Sequence, residues 1–98
     1  MRERQIDIPR RTFAFAARVI RLIRRLPKDT AGQVIARQVA KSAASIGANV
    51  EEAQGSHSKA EFARHMGIAR SEARETFYWL RLIAKSEMVP RDRLQDLL

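Results

Sequence analysis

The residues that could perform acid–base or metal chemistry are few and poorly placed for it. Glu61 and His65 fall four residues apart, which puts a carboxylate and an imidazole on one face of a helix. Di-iron bundles need Glu-x-x-His motifs on two helices and further Glu residues on two others, and the sequence lacks that set. The GSHS segment around His57 lacks the glycines of a phosphate loop. Ser42 and Ser45 have no histidine placed to relay a proton. We therefore expect no metal site, no cofactor and no enzymatic activity.

The arginines give a stronger chemical signal. The net charge is +8, and residues 1–28 hold nine basic side chains against two acidic ones. Arginine pairs with phosphate through two parallel hydrogen bonds and releases counterions, so a localised surplus is typical of a polyanion partner. A second basic stripe follows in residues 70–85. The simpler interpretation is a solvated face that keeps the protein soluble. The predicted phosphate-contacting residues are Arg10, Arg11, Arg18, Arg21, Arg25, Arg70, Arg74, Arg81 and Lys85.

RNA or DNA is therefore the leading predicted partner. Tyr78 is the only aromatic residue expected near these basic stripes, so we expect backbone contacts with weak sequence specificity and steep salt dependence. The alternative is a protein scaffold that presents the basic surface to an acidic partner, such as a polymerase or reverse transcriptase, without touching nucleic acid. Membrane binding through the amphipathic first helix is disfavoured, because a bundle core needs its apolar face.

Length and composition indicate one globular domain over residues 1–98. Hydrophobic residues make up 45% and charged residues 31%. No segment approaches the roughly 18–20 uncharged apolar residues that cross a bilayer. The chain has no cysteine and no apolar signal segment near its start, so we expect it to be cytoplasmic. A domain of this size buries only about 60–70% of its unfolded surface, so packing between subunits could add stability.

Proline and glycine residues divide the chain into an N-terminal arm, 1–9, and four predicted helices. Ser58 and Glu61 form a capping-box pattern at the start of the third helix, and Pro90 suits the first turn of a short fourth helix. Short connections between long helices force neighbours to be antiparallel. The sequence therefore predicts an all-α, antiparallel, up-and-down four-helix bundle with helices at about 10–26, 30–54, 58–87 and 90–98.

The helix faces predict how these elements pack. In helix 58–87 the predicted core stripe is Phe62, Met66, Ala69, Ala73, Thr76, Leu80 and Ala84. Four residues of that helix lie away from the stripe and predict a subunit interface, unless the short fourth helix covers them: Ile68, Tyr78, Trp79 and Leu82. Helix 30–54 carries a polar line that predicts inter-helix hydrogen bonds, with a ligand-facing lining as the alternative: Gln38, Ser42, Ser45, Asn49 and Glu52.

Two long motifs resemble those of a known family. Residues 38–53 resemble the pattern QxxxSxxSIxANxxE, with Gln38, Ser42, Ser45, Ile46, Ala48, Asn49 and Glu52. Residues 62–82 are similar to FxxxxxIAxxEAxETxYWLxLL, with Phe62, Ile68, Ala69, Glu72, Ala73, Glu75, Thr76, Tyr78, Trp79 and Leu80. Both patterns are those of the four-helix-bundle proteins encoded by intervening sequences in 23S ribosomal RNA genes.

The resemblance implies an antiparallel four-helix bundle that assembles as a homo-oligomer, typically a ring of five. It also implies kinship with the accessory variability determinant of diversity-generating retroelements, a basic pentamer that binds nucleic acid and partners a reverse transcriptase. Members of the family usually carry a full fourth helix. We therefore expect a short or truncated fourth helix in this chain.

Overall fold

The computed structural model describes residues 7–94, except for the side chain of Arg91. Over this range the chain forms three α-helices: α1 (Ile8–Ile23), α2 (Thr30–Gln54) and α3 (Lys59–Lys85). A single turn of 3-10 helix follows at Arg91–Arg93, and no strand is present between residues 7 and 94. The all-α prediction is confirmed.

Helix α1 begins two residues earlier than predicted. The side chain of Asp7 accepts a hydrogen bond from the amide of Arg10 (3.1 Å) and caps the helix. Pro9 occupies the first turn, where its missing N–H leaves no bond unmade. The prediction that residues 8 and 9 belong to an N-terminal arm was therefore wrong, and residues 1–6 lie outside the described part.

Helix α1 also ends earlier than predicted, at Ile23. The amides of Arg25 and Leu26 bond to carbonyls three residues back, those of Leu22 and Ile23, so the final turn is tighter than an α-helix. Leu26 precedes Pro27, a position where α-helical backbone is disfavoured. Its side chain is nevertheless buried, because the tight turn still points it into the core.

The predicted start and end of α2 are confirmed, and those of α3 fall within two residues of the prediction. The Asp29 side chain caps α2 by accepting a bond from the amide of Gly32 (2.9 Å). Ser58 caps α3 by accepting a bond from the amide of Glu61 (3.1 Å). The Glu61 carboxylate accepts a bond from the amide of His57 (2.8 Å), so the capping box is made, displaced by one residue.

The predicted fourth α-helix is not present in the described part of the chain. After α3, Glu87 adopts a left-handed backbone (φ 56°), and the chain reverses with a bond from the Met88 amide to the Ile83 carbonyl. One 3-10 turn then brings Leu94 into the core, where it is fully buried. Within residues 90–94, one 3-10 turn that leads to the buried Leu94 therefore takes the place of the predicted α-helix. Residues 95–98 lie outside the described part.

Helix α2 lies between α1 and α3 and packs against both. The larger core cluster joins the end of α1, the start of α2 and the end of α3 through Leu22, Val39 and Ile83. The smaller one joins the end of α2 to the first half of α3 through Val50 and Ala69. These pairings are those of antiparallel neighbours. The chain is flat, measuring 44 × 33 × 18 Å.

The predicted core stripe of α3 is only partly correct. Thr76 and Leu80 are buried as expected, but Ala73 is exposed and Phe62 is 44% exposed. Ile83, which the stripe omitted, is completely buried. The predicted stripe advances in steps of three and four residues and ends at Ala84. This path drifts away from the centre of the buried face, which Thr76, Leu80 and Ile83 define.

Candidate nucleic-acid interface

Helix α1 presents three different faces along its length. Val19 and Leu22 point into the core. Successive helical residues turn by 100°, so Arg18 and Arg21 fall on one flank of that core line, and Arg25 follows in the tight turn after α1. The opposite flank is apolar. The arginines therefore lie beside the core face rather than directly opposite it.

The three arginines surround one open cleft. Its volume is about 210 Å³, and it is lined by Arg18, Arg21, Leu22, Arg25 and Arg93. Leu22, which is 5% exposed, is the only apolar residue of this lining, and the other four lining residues are arginines. In the part of the chain that the structure describes, no acidic side chain lines this cleft. The arrangement concentrates positive charge around an open depression.

Arg93 is a cleft residue that sequence reasoning missed. It reaches the cleft from the 3-10 turn, whose bond from the Arg93 amide to the Pro90 carbonyl measures 3.1 Å. The residues on either side of the turn are anchored, because Leu94 is fully buried and Val89 is 8% exposed. The only available signal was a basic residue next to an apolar one in RDRLQDLL. Nothing local connects that segment to α1.

The other predicted phosphate-contacting residues are exposed but do not line the cleft. Arg10 and Arg11 lie in the first turns of α1, away from the cleft residues at its other end. Four more are exposed along α3: Arg70, Arg74, Arg81 and Lys85. The structure thus brings together three of the nine predicted residues and adds Arg93 to them.

Two exposed aromatic side chains accompany the basic residues of α3. Phe77 is 46% exposed and Tyr78 is 50% exposed. The Arg81 guanidinium carbon lies 5.1 Å from the centre of the Phe77 ring, which is cation–π geometry. The expectation that Tyr78 alone would accompany the basic residues was therefore wrong. The sequence pattern places Phe77 in neither the predicted core stripe nor the exposed face.

The residues predicted to form a subunit interface differ in exposure. Ile68, Trp79 and Leu82 are partly buried within the chain itself, and Tyr78 is exposed. Trp79 packs against the larger core cluster, and its Nε1 donates a hydrogen bond to Glu75 Oε2 (3.0 Å). The Tyr78 ring meets the Trp79 ring edge to face, with centroids 5.1 Å apart. The chain's own core therefore accounts for part of the burial of Trp79, and the interface stays a prediction.

An apolar groove runs between α1 and α2 on the flank opposite the arginines. It has a volume of about 340 Å³. Phe13 is 74% exposed and Ile20 is 43% exposed at its edge. The exposure of Phe13 was not predicted from the sequence. The lining residues are Phe13, Ala16, Ala17, Ile20, Ala44, Gly47, Ala48 and Glu51.

The polar line of α2 forms the predicted bonds between helices at two positions. The hydroxyls of Ser42 and Thr76 are 2.8 Å apart, and Asn49 Oδ1 lies 3.4 Å from His65 Nδ1. Asn49 also donates to the Ser45 carbonyl (2.9 Å) within α2. Gln38 and Glu52, at the ends of the line, are exposed.

The side chains considered for acid–base chemistry have structural partners instead. The Glu61 carboxylate is bonded to the backbone at the start of α3, and His65 faces Asn49. Between residues 7 and 94, no three His, Cys, Asp or Glu side chains come together in a way that could hold a metal ion. No helix in that range is long and apolar enough to span a membrane.

The fold and the cleft define a small bundle of antiparallel helices with a basic flank and an apolar groove. The family model of the 23S rRNA-intervening sequence proteins matches residues 4–98, and the chain belongs to this family. The resemblance seen in the two helical motifs is thereby confirmed. No curated protein sequence matches the chain.

A solved structure supports the same fold. It is a protein of unknown function from the S23 ribosomal protein family of Bacteroides thetaiotaomicron, 33% identical to this chain. The two superpose with a TM-score of 0.85, over 92% of this chain and 83% of that one. This similarity supports the same arrangement of helices in both proteins. It does not show a biochemical role, because the function of the solved protein is unknown.

Proposed function

We propose that this protein is a non-enzymatic binder of RNA or DNA that contacts the phosphate backbone. The observation that carries the proposal is the convergence of Arg18, Arg21 and Arg25 around one open cleft. Arginines from two segments line the same cleft, and guanidinium groups donate paired hydrogen bonds that match the oxygens of a phosphate.

The chemistry of the surface favours backbone contacts over base reading. Guanidinium groups supply fixed forks of donors that match phosphate oxygens. Phe77 and Tyr78 offer ring surface on α3, but the Phe77 ring is already paired with Arg81. We therefore expect modest sequence preference in binding, with any stacking confined to unpaired strands.

Charge reversal with a matched control tests the proposal. The test variant carries Arg18→Glu, Arg21→Glu and Arg25→Glu. The control carries Arg37→Glu, Lys41→Glu and Arg64→Glu, which are exposed basic positions that do not line the cleft. Both lower the net charge equally. At about 0.1 M salt the test variant should lose at least tenfold in affinity for RNA or DNA oligonucleotides, while the control loses much less.

Equal losses in the two variants would mean that net charge alone drives binding, and the proposal would fail. Circular dichroism should show that both variants keep the helix content of the unaltered protein. A version with glutamine at positions 18, 21 and 25 removes the charge without placing acidic groups near the C-terminus of α1, where the helix dipole disfavours them.

An acidic protein partner would use the same arginines and is the second candidate. The reverse transcriptase implied by the family resemblance is one such partner and stays a prediction. A pulldown with the tagged protein, repeated after nuclease treatment, separates the two cases. A partner that is lost after nuclease was held through nucleic acid, whereas one that is retained contacts the protein directly.

We also propose that the chain assembles with copies of itself, as the family resemblance implies. Its radius of gyration of 15.0 Å exceeds the roughly 13 Å expected of a compact domain of this length. The flat shape leaves Phe13 and Tyr78 exposed on different helices. A second copy that covered these side chains would bury apolar surface that one chain cannot bury alone. A ring of five remains the specific prediction.

A further inference from the structure

The arginine cleft is built from two segments that are far apart in the sequence. Arg21 comes from the last turn of α1, Arg25 from the tight turn that follows it, and Arg93 from the turn after α3. Leu22 and Leu94, which neighbour these arginines in the chain, belong to the same buried cluster. Core packing therefore fixes the backbone on both sides of the cleft. Such preorganisation lowers the entropy lost when a ligand binds.

The size of the cleft restricts what it can hold. At about 210 Å³ it is smaller than the roughly 300–1,000 Å³ of sites that enclose drug-sized molecules. Four of its five lining residues are arginines, and Leu22 is the only apolar one. The lining residues include none of the aromatic or amide side chains that recognise a base. A single phosphate group fits the volume and the charge.

We propose that this cleft is a discrete phosphate-binding site in which Arg93 acts together with Arg21 and Arg25. Guanidinium groups approaching from two segments can donate to different oxygens of one tetrahedral phosphate. The assignment of that phosphate to a nucleic-acid backbone rests on the proposed function. On that basis the cleft fixes one point of the backbone on the protein, and the other exposed basic residues contribute general attraction.

Direct titration of the cleft with pyrophosphate tests the site without nucleic acid. The arginine Nε–H signals of the ¹⁵N-labelled protein are followed by NMR at low salt. Those of Arg21, Arg25 and Arg93 should shift together and saturate, while that of Arg64, which does not line the cleft, should move little. A linear drift of equal size at all four arginines would overturn the site, because it would indicate only diffuse ion association.

A second measurement compares the Arg93→Gln and Arg64→Gln variants in binding an RNA or DNA oligonucleotide. Arg93→Gln should weaken binding about tenfold, as expected for the loss of one charge-assisted hydrogen-bonded contact, and Arg64→Gln should have little effect. Arg93→Lys keeps the charge but loses the planar guanidinium fork. Its affinity for the oligonucleotide should therefore lie between those of Arg93→Gln and the unaltered protein. Equal affinities for Arg93→Gln and Arg64→Gln would overturn the role of Arg93.

The two measurements separate the site from the proposed function. Saturable pyrophosphate binding in a protein that binds no oligonucleotide would support the phosphate site and contradict the nucleic-acid function. Oligonucleotide binding that is insensitive to Arg93→Gln, with no saturation by pyrophosphate, would support the function and contradict the site.

Discussion

The hydroxyls of Thr76 on α3 and Ser42 on α2 lie 2.8 Å apart, and each residue is only 1% exposed. Thr76 Oγ1 also lies 2.8 Å from the carbonyl oxygen of Glu72, one turn earlier in α3. The pair is therefore a buried polar contact with a further acceptor close by. It links α2 and α3 between the two apolar clusters, where hydrophobic contacts alone would allow one helix to slide along the other.

We expect this pair to be energetically coupled. Ser42→Ala and Thr76→Val should each lower the free energy of unfolding by about 1 kcal/mol, because each removes one partner of a buried bond. The double variant should cost clearly less than the sum of the two, since no buried hydroxyl is then left without its partner. Urea unfolding at one fixed protein concentration measures the free energy of unfolding of the unaltered protein, the two single variants and the double variant. Strictly additive losses would show that the two hydroxyls do not stabilise each other.

Two glycines should respond in opposite directions to substitution by alanine. A Cβ at Gly32 would clash with the Pro27 carbonyl oxygen, so Gly32→Ala must displace the turn between α1 and α2. At Gly67 nothing lies within 4 Å of the added carbon. Gly67→Ala should therefore stabilise the protein by up to about 1 kcal/mol through helix propensity. Thermal unfolding compares the two, and a stabilised Gly32→Ala variant would contradict the close contact.

Self-assembly should depend on the exposed aromatic residues. Phe13→Ser and Tyr78→Asp each replace an exposed apolar side chain, so neither should disturb the core of the single chain. Size-exclusion chromatography with light scattering should show a smaller particle for at least one of the two. Lys59→Asp, at an exposed position at the start of α3, is the matched surface control. If both variants keep the size of the unaltered protein, these residues lie outside the interface.

Most of the fold follows from local signals in the sequence. The bounds of α2 could be predicted because Asp29 and Gly55 mark its ends, and those of α3 because Ser58 caps its start. The end of α1 could not be predicted, because Leu26 keeps the helical spacing of the apolar residues although it lies in a tighter turn. The 3-10 turn at Arg91–Arg93 could not be predicted, because the sequence gives no sign that Leu94 becomes buried after a single turn.

The candidate site was predicted in part. Arg18, Arg21 and Arg25 were recognisable because they recur at helical spacing on one flank of α1. Arg93 was not, because it joins them only through packing between segments nearly seventy residues apart. The exposure of Phe13 and Phe77 was also hidden, since the face a helix buries depends on its neighbours as well as on its own pattern.

The dependence of nucleic-acid affinity on salt tests the central claim most directly. Binding of a labelled oligonucleotide is measured between about 0.05 and 0.3 M salt for the unaltered protein and for the variant with glutamine at positions 18, 21 and 25. The unaltered protein should show a steep negative slope of log affinity against log salt, and the variant should lose about two to three units of that slope, since each phosphate contact contributes roughly 0.7–0.9. A shallow slope in the unaltered protein, or the same slope in both, would contradict binding through these arginines.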